Sequence, residues 1–501
     1  MSECERILEL GCRLSTLGLT PNVRASEIGR TAQTHFRTAQ HRTIDFPTTP
    51  RLPTIERSIF TGAGVKQKML QWWTDRMPHA MRVRCCQVDG IDVNKLMKIT
   101  MNCVHWALTL GLFTSAAIAA DQQKLACVGG TVYPSPTAEP IKHAAVLAEG
   151  GKITAVESGL RFKLPASTKV LDCRGKFVVA GFWNSHVHFE SGWQIAVEQR
   201  ADKLEAHMQE MLTKWGMTTV WDLGSLPSNT QAIRRRVESG EVPGPKILMA
   251  GDIFPKNGHP VYLPPEMQLP EAATQPQAEQ MTQQYMKMGF EGLKLFTGSF
   301  MGNKPVVNMP LEVVKAAVNV AHTHGKPAFA HTQNRVGTDN ALNGGVDILA
   351  HTIPTEGSFS TAELAQMKEQ HTALIPTLTL WTTVVQDPAV QKQLVQAGVS
   401  ELKSYFGEGG TILFGTDVGF TSEYDTTQEY EFMGRAMGWK DILASLTASP
   451  AEYFKSLTKG RLEKGMDADF VVLDADPAAG VKNFAKVKYT VRGGKVIYEE
   501  K

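Results

Sequence analysis

Between residues 177 and 417, short apolar runs recur, and segments long enough for a helix separate them. The runs are FVVAGFW, TTVWDLG (218 to 224), KILMAG (246 to 251), GLKLF (292 to 296), PAFAH (327 to 331), DILAH (347 to 351), TALIPTL (372 to 378) and ILFGTD (412 to 417). Apolar runs of this length bounded by turn signals read as strands buried on both faces, and strands joined by helical crossovers lie parallel. Eight such units in succession predict an α/β fold, the (β/α)8 TIM barrel. Helices are predicted over the 200 to 215 region, over LEVVKAAVNVAHTHG (311 to 325), where Gly325 is the stop signal, and over TAELAQMKEQH (361 to 371).

The flanks have another style. From Lys124 to Val179 the chain reads LACVGGTVYP, AAVLAEGGKITAVESG and TKVLDCRGKFVV, short apolar runs broken by Gly, Pro and Asp, with Gly150-Gly151 marking a hairpin. After Pro450 the same style returns in GMDADFVVLDADP and VKYTVRGGKVIYEE. Residues 121–180 and 451–501 are therefore expected to form one small β-sandwich around a barrel of residues 181–450. A length of 501 residues accommodates both. The net charge of +2 argues against nucleic acid or an anionic membrane as partner and leaves a small-molecule substrate. A homo-oligomer is compatible with this composition.

Residues 97–120, MKITMNCVHWALTLGLFTSAAIAA, carry one early lysine, an apolar centre from Trp106 to Phe113 and small residues around Ala117 and Ala119. This is the layout of a secretory signal peptide cleaved after Ala119 or Ala120, with an apolar centre short for a membrane span. An exported protein, periplasmic or secreted, is expected, with no stable membrane span once mature; signal anchoring is the alternative. Residues 1–96 are arginine-rich and show no sustained periodicity, as a non-native or disordered extension would, translation then starting at Met97 or Met101. A cytoplasmic tail is the competing reading. No C-x-x-C zinc pattern occurs, and Cys127 and Cys173 read equally well as a disulfide or as two buried thiols.

In parallel barrels the chemistry gathers at strand C-termini. Here those positions hold metal-capable side chains: His186 and His188 after the first strand, Lys294 in the fourth, His331 in the fifth, His351 in the sixth and Asp417 in the eighth. Residues i and i+2 of a strand share a face, so the His186 and His188 imidazoles can reach one ion at about 2.0–2.1 Å. Each position alone admits a structural reading, such as a core histidine, a snorkelling lysine or a helix cap. Together they predict a metal site. Between the third and fourth strands, AGDIFPKNGHPVYLPPE places His259 and Tyr262 at the mouth as substrate-binding candidates. Arg335, four residues past His331, is suited either to a substrate carboxylate or to a salt bridge at a helix start. Trp183, Trp193, Phe254, Tyr262, Phe296, Phe300, Trp381 and Phe420 crowd the same loops, and any that face the mouth make it apolar.

The segments FVVAGFWNSHVHF, GMTTVWDLG, GLKLFTG, FAHTQNRVGTDNALNGGVDILAHT, LFGTDVG and GRLEKGMDADFVVLDADP with VRGGKVIY resemble the amidohydrolase superfamily over residues 124 to 501. The likeness is to the branch of imidazolonepropionase-like enzymes and metal-dependent Xaa-Pro or Xaa-Arg dipeptidases. Ala180 stands where the family commonly has Pro, and Asn184 where it has Asp. The resemblance implies that His186, His188 and Asp417 hold one divalent ion and His331 and His351 a second. Lys294 would bridge them as an N-carboxylated lysine formed with CO2, with Zn2+ the metal. A Gly-His pair is common in that family at the position of His259. The implied chemistry is attack by a metal-bridged hydroxide on C–N amide bonds of dipeptides or N-acyl amino acids, with Asp417 as the catalytic base. A cyclic amidase, lactonase or deaminase would use the same scaffold; deaminases of the superfamily generally lack the bridging lysine, so Lys294 counts against them. A non-catalytic barrel protein, the remaining alternative, would bind no metal.

Overall fold

The computed structural model describes residues 124–158, 164, 167–189 and 199–501. The expected signal segment 97–120, the extension 1–96 and Trp193 lie outside them. Among the described residues no helix is long and apolar enough to cross a membrane.

The chain opens with β1 (Lys124–Val132), β2 (Ile141–Glu149), β3 (Lys152–Ser158), β4 (Lys169–Asp172) and β5 (Phe177–Ala180). β1 to β3 are an antiparallel meander, and Gly150 and Gly151 turn the β2–β3 hairpin with φ of 59° and 79°. Two successive positive φ values match the twist of the flanking strands in a tight hairpin, and glycine adopts them without a Cβ clash. The C-terminal strands join the same sheet. β16 (Phe470–Leu473), β17 (Val487–Arg492) and β18 (Lys495–Glu499) follow the barrel, and β16 pairs antiparallel with β5.

The two flanks share one hydrogen-bonded sheet ordered β18-β17-β16-β5-β1-β2-β3, with β4 also on β1. The reason is β1, whose outer edge pairs first with β4 and then with β5, so the ladder never breaks. Leu125, Val146, Ile153, Val178, Phe470, Val472 and Val491 share its core. Cys127 and Cys173, both buried there, form a disulfide, which decides between the two readings of that pair.

The run FVVAGFW is not one strand. Its first half is β5, and its second half opens the barrel as β6 (Phe182–Val187). Gly181 is the junction: its N–H bonds to Asp469 O at 2.9 Å, and a Cβ there would stand 2.3 Å from Thr218 Oγ1. The other barrel strands are β7 (Met217–Asp222), β8 (Lys246–Pro255, with β9, Glu271–Ala272, at its edge), β10 (Gly292–Phe296), β13 (Ala328–His331), β14 (Ile348–Leu349) and β15 (Ala373–Leu374). A small hairpin of β11 (Gly298–Ser299) and β12 (Val307–Asn308) follows β10. Pairing from β6 to β15 is parallel throughout.

The eighth unit, 412–418, is irregular but bonds to both edges of this curled sheet. Leu413 N–H reaches Leu374 O on β15, and Ser185 N–H of β6 reaches Phe414 O at 2.7 Å. Inside the barrel, Trp183, Trp221, Leu248, Phe329, Ile348, Ile375 and Leu413 meet in one apolar cluster, contributed strand by strand. This plug fills the bore below the strand C-termini, and the candidate ligands gather above it. Outside, the helices at Ala201–Met211, Leu311–Thr323 and Thr361–Glu369 lie where the sequence places them.

The disulfide bridges residues 46 apart, so replacing Cys127 and Cys173 by alanine should lower unfolding stability by about 2–4 kcal/mol, read as a denaturant midpoint shift at constant slope.

Candidate metal centre

The six predicted positions converge above the plug. His186 and His188 end β6, Lys294 sits in β10, His331 ends β13, His351 follows β14, and Asp417 lies in the closing segment. The seam of the barrel makes this geometry: Asp417 N–H bonds to His186 O at 2.9 Å and His188 N–H to Val418 O at 2.8 Å. Asp417 holds a φ of 61°, a left-handed conformation that aspartate tolerates better than most residues. Two residues on, Gly419 passes so close to the strand that a Cβ would lie 1.7 Å from His188 O.

Hydrogen bonds settle which nitrogens face inward. His186 Nδ1 donates to Ala350 O at 3.0 Å and His188 Nδ1 to Gly224 O at 3.1 Å. A carbonyl only accepts, so each ring carries its proton on Nδ1 and turns an Nε2 lone pair to the centre. Those Nε2 atoms are 3.2 Å apart and lie 3.1 and 3.0 Å from Asp417 Oδ1. Asp417 Oδ1 is itself buried and lacks a hydrogen-bond donor. Three electron-rich atoms facing one another in a dry interior repel, and a divalent cation is what such a donor set fits.

His351 completes a second approach. One ligand atom each of His186, His351 and Asp417 lie within 4.8 Å of one another. His351 Nδ1 meets Thr377 Oγ1 at 2.7 Å, which leaves Nε2 as its ligand atom. His331 packs edge-on against His351 at 4.9 Å and donates Nε2–H to Gln333 Oε1 at 3.1 Å, which leaves Nδ1. Lys294 Nζ lies 3.5 Å from His186 Nε2, fully buried.

Electrostatics keeps these ligands in binding form. Burial, then the charge of Lys294, holds His186 well below the ordinary histidine range and brings His331 down to about 4. Burial likewise pushes His351 well down against the pull of Asp417. Lys294 is brought down to about 8 by burial, in opposition to Asp417, Asp252 and Asp222. A lysine so placed yields its neutral amine far more readily than an exposed one.

Asp222 and Asp252 are residues the strand-end reading passed over. Asp222 closes β7 inside the quoted run TTVWDLG, where the same positional rule reaches it. It accepts from Ser225 Oγ and Thr230 Oγ1, both at 2.6 Å, and burial raises its pKa. Asp252 pairs in register with Lys294 across β8 and β10, and its pKa rises to about 6, chiefly by burial. Asn184, where the resembling family carries Asp, braces the site: Nδ2 donates to Thr416 Oγ1 at 2.7 Å and Oδ1 accepts His186 N–H at 3.1 Å.

The substrate-binding candidates fare differently. His259 points both ring nitrogens at carbonyls of its own loop, Pro260 O at 3.1 Å and Met267 O at 3.2 Å, an arrangement that shapes the loop. Tyr262 is partly exposed and meets Phe420 edge-on at 5.1 Å, on the loop that follows Asp417. Arg335 is engaged within the chain. Its guanidinium grips both Glu363 oxygens at 2.7 Å and the carbonyls of Glu356, Gly357 and Ser358, so the salt-bridge reading describes it and no donor set remains for a carboxylate substrate. Of the aromatics, Phe254 and Phe296 stack at 3.9 Å, and Phe296 lies 5.1 Å from His331. Trp183 belongs to the plug, and Trp381 donates to Thr352 Oγ1 at 3.0 Å.

Fold and site together define a parallel barrel with a candidate histidine–carboxylate metal centre at its strand C-termini. Residues 177–497 match the amidohydrolase family, and the chain belongs to it. Among solved structures it is similar to a Xaa-Pro dipeptidase with bound methionine, at 20% identity and TM-score 0.63 over 75% of this chain and 100% of that one. It is also similar to a prolidase complexed with N-methylphosphonate-L-proline, at 21% identity and TM-score 0.63 over 75% and 100%. The ochratoxinase of A. niger aligns at 17% identity and TM-score 0.61 over 76% and 96%. At such identities the likeness is one of fold. A dihydroorotase of Clostridium acetobutylicum is 31% identical over 80 residues, 13% of this chain and 19% of that protein, so the chain spans about a fifth of that relative.

Because Glu363 is buried, Arg335→Ala should destabilise the fold by about 3 kcal/mol in chemical denaturation, while KM for any hydrolysed substrate changes less than about threefold.

Proposed function

We propose that this protein hydrolyses C–N amide bonds of dipeptides or N-acyl amino acids. The observation that carries the reading is the convergence of the His186 and His188 lone pairs on the undonated Asp417 Oδ1. His186, His188 and Asp417 would hold one divalent ion, zinc by ligand type, and His331 and His351 a second. Lys294 would join them after its neutral amine adds to CO2 and loses a proton, becoming an anionic carbamate. When bound, such ions lower the pKa of water and polarise a scissile carbonyl.

The chain's own groups supply the rest. Asp417 accepts the proton of the attacking water and returns it to the leaving nitrogen, which an amide needs because an unprotonated amine departs poorly. The Ala350 and Gly224 carbonyls keep the His186 and His188 rings from turning during that transfer. Phe296 and its partner Phe254 offer an apolar wall beside His331, which favours substrates with bulky side chains. Export is part of the proposal, supported by the signal-like segment 97–120 and by the buried disulfide, a bond typical of oxidising compartments.

The purified full-length chain should contain two equivalents of divalent metal by elemental analysis and lose dipeptide or N-acyl amino acid hydrolysis on chelation. Hydrolysis confined to lactones or cyclic ureides would overturn the choice of bond. Asp417→Asn should lower kcat by roughly 10²–10⁴-fold. Lys294→Ala should lose one metal equivalent and regain part of its activity with added short carboxylic acids; retention of both equivalents would make Lys294 structural.

A further inference from the structure

We infer that Glu429 is a positioning residue for His351, acting through the turn that follows β15. The inference rests on the metal-site reading above. Glu429 lies in the helix Thr427–Met433 and is fully buried. Its carboxylate accepts three hydrogen bonds, all from one turn: Leu378 N–H at 2.9 Å, Thr379 N–H at 2.7 Å and Thr379 Oγ–H at 2.7 Å. The two N–H groups open the 3-10 turn Leu378–Thr382, where backbone donors have no partner within the turn itself. A carboxylate suits the place because both its oxygens only accept. A glutamine would turn an NH2 toward one of the donors.

What this grip holds is Thr377. The residue stands directly ahead of the turn with φ 43° and ψ 52°. A β-branched side chain in that left-handed region is strained and persists only where its surroundings fix it. The strained residue is also the one that touches the site, with Thr377 Oγ1 2.7 Å from His351 Nδ1. His186 and His188 lean on backbone carbonyls of other barrel segments, Ala350 and Gly224. His351 leans on a hydroxyl, whose place depends on a turn pinned by Glu429. The carboxylate fixes residues 378 and 379, these fix the Thr377 backbone, and the Thr377 hydroxyl sets the imidazole of His351.

A residue that merely packed the helix against the turn would affect folding and both ions alike. The test is therefore metal affinity of the full-length chain, measured site by site in competition with a chromophoric zinc chelator, beside the melting temperature of the chelated protein. Glu429→Gln should weaken one zinc site by roughly 10–100-fold and leave the other at its wild-type affinity. Thr377→Ala should weaken the same site comparably, Thr377→Ser should keep wild-type affinity, and the Glu429→Gln/Thr377→Ala double variant should bind no more weakly than Thr377→Ala alone. Should Glu429→Gln fail to fold, Thr379→Val removes one of the three donors and carries the same comparison, weakening that site alone and adding nothing to Thr377→Ala. Unchanged affinity in these variants, equal loss at both sites, or losses that add in the double variant would overturn the inference. A wild-type chain that binds no zinc would overturn the functional reading and this inference with it.

Discussion

The seam between the first barrel strand and the closing segment carries the site. Ser185 bonds across it to Phe414, Asp417 to His186, and His188 to Val418. Backbone bonds thus bring together candidate ligands separated by nearly half of the chain, and the candidate metal centre sits on the line where the barrel closes. Because side-chain direction alternates along a strand, a slip of one residue in this register would turn the ligands away from the bore. Close backbone approach at Gly419 keeps the register tight.

Around that seam the barrel solves a problem of buried polarity. Histidines, a lysine and several carboxylates lie above an apolar plug, where unpaired charge is strongly disfavoured. Carbonyl and hydroxyl partners orient the rings, and burial keeps them neutral. Lys294 balances Asp222, Asp252 and Asp417 from within the same bore. The apolar plug below and the polar groups above come from the same strands, since alternate inward positions supply first one layer and then the other.

Much of this was legible in the sequence because two patterns coincide: apolar runs mark strands, and metal-capable residues within or just after them mark the site. That is why His186, His188, Lys294, His331, His351 and Asp417 could be named before any coordinates, and why Asp222 obeys the same rule. Other features depend on contacts that no local pattern encodes. FVVAGFW reads as one strand, yet Gly181 divides it because a side chain there would meet Thr218. Arg335 has the chemistry of a carboxylate binder, but its partner Glu363 lies on another helix. Glu429 sits in a short helix with no motif, and only the fold brings it beneath the Thr377 turn. Both flanks join one ladder because β1 continues its outer edge from β4 to β5.

That sheet has a consequence for how the chain is made. β5 finds one neighbour in β1 and the other in β16, and nearly the whole barrel is synthesised between them. As the chain emerges from the N-terminal side, the edge of Phe177–Ala180 stays unpaired until the last strands arrive. An apolar strand with open backbone donors and acceptors is a template for pairing with other chains. The barrel is, in topological terms, an insertion within the small sheet, and the sheet acts as a clasp that shuts only when synthesis is nearly complete.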